Sequence, residues 1–167
     1  MSPEISMRQL LLATIMAVPF FGLTAAYADD PIQGAMEAFV VELKDDRETL
    51  TEAKEVEPNQ LVEYHLTYTN ISDSKINGLT VVGPVPEGTS YVSDTANADV
   101  AAALLVSIDG GKTFEPEPVI RLETKESGEV VEKIVPPEEY THLKWKAENA
   151  INPDGGTQFY TYRVRVN

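Results

Sequence analysis

Hydrophobic and polar residues alternate most strictly over residues 61–70, LVEYHLTYTN. Val62, Tyr64, Leu66 and Tyr68 fall on one face, and Glu63, His65, Thr67 and Thr69 on the other. A period of two, rich in β-branched and aromatic residues, predicts a strand with one buried and one solvated side. Residues 157–166 repeat the pattern, with Tyr160, Tyr162, Val164 and Val166 facing one way. Shorter runs predict strands at 38–43, 79–82, 89–92, 103–108 and 141–147, the last with Leu143 and Trp145 inward. Weaker candidates lie at 50–52, 112–114, 119–122 and 130–135. Glycine and proline punctuate the gaps, and Gly83-Pro84 is expected to stop the strand before it. No stretch after residue 28 has helical periodicity of useful length. Short alternating strands separated by turns predict an all-β fold: an immunoglobulin-like antiparallel β-sandwich of about seven to nine strands.

The first 28 residues break this pattern. Arg8 precedes an apolar run at 10–23, then comes Ala26-Tyr27-Ala28, a small-x-small exit. Asp29-Asp30-Pro31 cannot continue an apolar helix. This order predicts a helical secretory signal peptide over 1–28 and export to the periplasm or cell surface. A membrane anchor would need ~20 apolar residues, and this run is shorter, so no membrane span is expected after cleavage. Residues 29–35 read as a short linker, and 36–167 as a single domain.

The chain carries 13 basic and 27 acidic residues, a net charge of −14. Cleavage after Ala28 removes one of each sign, Arg8 and Glu4, and leaves the balance unchanged. Such a surface repels nucleic acid, and no nucleic-acid partner is expected. Cysteine is absent. Disulfides, thiol catalysis and cysteine-ligated zinc are therefore excluded.

Little else points to chemistry. The two histidines, His65 and His142, fall on outward faces of their strands, and no Gly-x-Ser-x-Gly elbow accompanies them. No twelve-residue calcium loop occurs. Asp46-Arg47-Glu48 resembles one short calcium element of cadherins, but the rest of that pattern is missing. No catalytic residue, metal or cofactor is expected. Lys44 with Asn70 or Asn167 is a nominal isopeptide pair; an exposed lysine is the plainer reading. Asn70-Ile71-Ser72 is a sequon in form, and its Asn more simply caps a strand end. Most aromatics face inward. Tyr140 and Phe159 are expected to be exposed and open to a ligand or partner.

SIDGGKTF, residues 107–114, fits Ser-x-Asp-x-Gly-x-Thr-aromatic through Ser107, Asp109, Gly110, Gly111, Thr113 and Phe114. It resembles the Asp-box hairpin of sialidase propellers. Those propellers repeat the motif over several blades and need a longer chain. Here only Asp154-Gly155-Gly156 and Phe159 echo it. The physical reading is a turn: Asp can bond nearby amides and the glycines accept positive φ. A tight turn at 109–112 is expected between strands at 103–108 and 112–114.

The stretch 57–70, EPNQLVEYHLTYTN, together with VGPVPEGTSYV at 82–92, resembles a bacterial family known as the conserved repeat domain, or domain of unknown function eleven. SIDGGKTF and YTHLKW at 140–145 resemble its later part. The resemblance spans about residues 57–166. It implies an immunoglobulin-like sandwich on exported bacterial proteins, with no catalytic residues. The expected function is a non-catalytic envelope module acting by protein contacts or as a structural component. The alternatives are a subunit of a pilus-like or coat polymer and a carbohydrate-binding module. If the signal peptide is read correctly, intact-mass measurement of the exported protein will place its N-terminus at Asp29; a mass that retains residues 1–28 would contradict it.

Overall fold

A computed structural model describes residues 30–167, so the expected signal peptide at 1–28 lies outside the described residues. Strands follow the alternating segments: β1 (Ile32–Lys44), β2 (Arg47–Glu52), β3 (Leu61–Asn70), β4 (Thr80–Pro84), β5 (Thr89–Tyr91), β6 (Asn97–Ala98), β7 (Ala102–Ser107), β8 (Ile120–Thr124), β9 (Val130–Ile134), β10 (His142–Ala147) and β11 (Thr157–Val166). The eleven strands exceed the expected seven to nine, partly because β6 is a two-residue strand too short to leave a sequence pattern.

Two expectations about strand ends change. Most of the supposed linker belongs to β1, which pairs with β3 from Ile32↔Asn70 to Val41↔Leu61. Gly34 lies opposite Tyr68, where an added Cβ would come within 3.1 Å of the ring. A full-length partner thus holds residues whose own strand preference is weak. The second change is at Gly83-Pro84, which continues β4 rather than stopping it. Proline is tolerated there because β4 is an edge strand, paired with β10 alone.

The large sheet runs β2-β1-β3-β11-β5, with β6 also pairing β11. Facing it is β4-β10-β7, while β8 and β9 form a separate ribbon. All pairings between strands are antiparallel. The fold is an all-β sandwich. β1, β3, β4 and β5 take the A, B, C and D places of an immunoglobulin-like arrangement. The later strands follow their own path: β11 fills the place beside β3, and β7 the outer place beside β10.

The core is where the inward faces meet. Leu66, Tyr160, Tyr162, Val81, Leu143 and Trp145 are all buried. Trp145 reaches across from β10, its ring centroid 5.7 Å from Tyr160 and 5.9 Å from Tyr162. Tyr162 donates a hydrogen bond to the Pro84 carbonyl on the facing sheet. Tyr160 donates to Gln158 Oε1 at 2.7 Å, and Gln158 Nε2 donates to the Asn149 carbonyl at 2.9 Å. Among the described residues no buried side-chain nitrogen or oxygen lacks a partner. Burial pushes the Tyr160 hydroxyl up to about 12 and raises Tyr162 further above its ordinary range.

Gly83 makes this contact possible. A Cβ there would sit 2.7 Å from the Tyr162 ring and 3.2 Å from Trp145. Gly83→Ala is expected to destabilise the fold by about 1–3 kcal/mol through overpacking. Denaturant midpoints of the two proteins will check this; an unchanged midpoint would contradict it.

Candidate functional site

Ser107 ends β7 and is buried. Its hydroxyl donates to Asp109 Oδ1 at 2.7 Å and accepts the Gly111 amide at 2.9 Å. Asp109 Oδ1 also accepts the amides of Lys112 and Thr113 at 3.1 and 2.9 Å, and Oδ2 accepts the Thr113 hydroxyl at 2.7 Å. Gly110 and Gly111 supply φ of 75° and 80°, the left-handed region the bend requires. The Thr113 amide and hydroxyl, followed by the Ser107 hydroxyl, hold the Asp109 carboxyl well below the usual aspartate range. Both carboxylate oxygens serve the turn itself.

The turn is as expected, but the return strand is not. Residues 112–114 form no ladder, and the chain rejoins β7 at one bridge, Val106↔Glu115. The reason is local. Asp109 draws in the amides of Lys112 and Thr113, leaving neither to pair with β7. Phe114 is half-buried and lies under Lys144, whose Nζ is 3.4 Å from the ring centroid. Thr141 ties the turn to the chain entering β10: its hydroxyl accepts the Gly110 amide at 3.1 Å and donates to the Ser107 carbonyl at 3.1 Å.

Tyr140 is not the exposed contact residue expected. It is 3% exposed and stacks on Tyr91, with centroids 6.1 Å apart. The 3-10 turn at Pro137–Glu139 ends on it and delivers it to the core. Phe159 is half-buried on the outer face of the large sheet, edge-on to His65 at 5.0 Å, with Phe39 on His65 at 4.6 Å. His65 Nε2 lies 2.7 Å from Glu63. Arg163 reaches Glu63 at 2.6 Å and Glu48 at 2.7 Å, joining β11 to β3 and β2. Burial raises the Glu63 carboxyl, but its bonds to His65 and Arg163 outweigh that and leave it below its ordinary value.

The structure does not bring the other nominal candidates together. His65 and His142 lie on different sheets. Lys44 ends β1, whereas Asn70 ends β3 and pairs with Ile32 at the start of β1, and Lys44 is exposed. Asn70 is buried: its Nδ2 donates to the Ser74 carbonyl at 2.7 Å, and its Oδ1 accepts the Ser72 amide at 3.0 Å. Asp45 and Asp46 form the two-residue β1–β2 turn, with φ of 51° and 59°. Among the described residues no group of three or more His, Asp or Glu is placed to hold a metal.

One surface was missed by sequence reasoning. On the β8–β9 ribbon, Ile120 faces Ile134, Leu122 faces Glu132, and Thr124 faces Val130, all on one side. The four apolar residues of that side are exposed: Ile120 44%, Leu122 72%, Val130 58% and Ile134 63%. Only the ribbon's base is anchored, by buried Val119 and Val135. The alternation IRLET and VVEKI around a central Gly128 is visible in the sequence, but it suggests that the apolar side is buried. No protein-family model, curated protein or solved structure matches this chain.

The Asp109 turn yields a pH-dependent expectation. A carboxyl whose folded value is depressed stabilises the fold above its ordinary value, about 3.9, and loses that effect as pH falls through the folded value. Asp109→Asn should therefore melt below the native protein at pH 7. The gap should close only in strong acid, below the ordinary aspartate range. Thermal melts across that range will check this; equal melting temperatures at pH 7 would contradict it.

Proposed function

We propose that this chain is an exported, non-catalytic module of the bacterial cell envelope that acts by protein-protein contact through the β8–β9 ribbon. The observation that carries this reading is the exposed apolar side formed by Ile120, Leu122, Val130 and Ile134. A two-stranded ribbon is marginal by itself, and its apolar side is normally covered by a third layer. Here neither sheet covers it, and an apolar side left bare on a folded domain marks an interaction site. Export rests on the Arg8-to-Ala28 pattern, and the family resemblance on the motifs at 57–70 and 82–92. Assembly into a polymer by strand donation has less support, because β11 of the same chain already fills the place between β3 and β5.

A photo-crosslinking residue placed at Leu122 in the full chain, in cells that export it, should give discrete protein adducts. The same residue at Lys44, exposed at the far end of β1, should not. No adduct at Leu122, or equal adducts at both positions, would sink the reading.

A further inference from the structure

Resting on the ribbon as the contact surface, we infer that β9 accepts an extended segment of a partner protein as a third strand, and that this segment places a lysine or arginine between two apolar residues on the shared side.

The backbone shows which groups are free. The Val135 amide donates to the Val119 carbonyl at 2.9 Å, and the Lys125 amide to the Glu129 carbonyl at 2.9 Å. Bonded and non-bonded pairs alternate along an antiparallel ladder. With 119/135 and 125/129 bonded, the pairs 120/134, 122/132 and 124/130 are the non-bonded ones. Val130, Glu132 and Ile134 therefore turn their N–H and C=O groups outward, along the open edge of β9. The residues that bear the apolar side are the same ones that offer the backbone groups. The edge of β8 differs: Arg121 bonds Glu115 and caps the Ile120 carbonyl at 2.9 Å.

Charge selects the occupant. The ribbon's cations are already taken, Lys125 by Glu129 at 3.1 Å and Lys133 by Glu123 at 3.4 Å. Glu132 has no such partner among the described residues and stands on the apolar side between Val130 and Ile134. A second copy paired about Glu132 would set two carboxylates opposite each other, a destabilising arrangement. It would also join two chains of net charge −14. A strand with a cation opposite Glu132 and apolar residues opposite Val130 and Ile134 satisfies every group at once.

The test uses isotope-labelled exported protein and a synthetic peptide, acetyl-Thr-Val-Thr-Lys-Thr-Val-Thr-amide, followed by NMR titration. Shifts should concentrate on the amides of Val130, Glu132 and Ile134. Replacing the peptide's lysine with glutamate should weaken binding about fivefold or more, as exchanging an attractive for a repulsive cross-strand pair requires. Glu132→Lys should reverse the preference, and N-methylating the peptide's central amide should abolish binding. Equal binding of both peptides, or shifts away from β9, would overturn the inference. So would a dimer in sedimentation that Leu122→Asp dissolves. Crosslinks at Leu122 combined with no peptide preference would overturn strand addition while leaving the contact surface standing. Loss of those crosslinks removes the surface itself.

Discussion

The sandwich depends on one close approach. Trp145 on β10 meets Tyr160 and Tyr162 on β11, and Gly83 on β4 leaves the space that the Tyr162 ring occupies. Aromatic contacts of this kind couple large buried area to a defined geometry. With no cysteine in the chain, no disulfide can substitute for that packing. The polar atoms that these side chains carry inward are matched locally: Tyr160 by Gln158, and Tyr162 by the Pro84 carbonyl. An apolar interface between the sheets is thereby combined with full hydrogen bonding.

Around that centre, polar groups organise individual strands. Arg163 spans β2, β3 and β11 through Glu48 and Glu63. Asn70 closes the end of β3, and Asp109 closes the exit of β7. In each case a side chain with catalytic or ligand-binding potential is committed to backbone amides or to an opposite charge.

Much of the fold is legible because period-two alternation encodes a buried face directly. Val62, Leu66, Tyr160, Tyr162 and Val164 are inward as their spacing requires. The same logic fails where the third dimension decides. Tyr140 gives no sign in its neighbours that a 3-10 turn will carry it inward. Residues 112–114 have strand-like composition, yet a carboxylate three to four residues earlier takes their amides. Ile120, Leu122, Val130 and Ile134 alternate as core residues do, and only topology reveals that no layer covers them. The alternation of the candidate surface is therefore written in the sequence, but its exposure is not.

The position of β11 bears on how the protein is made. It lies between β3 and β5 although it follows every other strand in the chain. Its pairing with β3 joins residues as far apart as Leu61 and Arg165. Contacts of such long sequence separation are slow to form. During synthesis, neither β3 nor β5 can pair with β11 until residues 157–166 have been made. The aromatic cluster that joins the two sheets therefore completes only once the last strand of the chain exists.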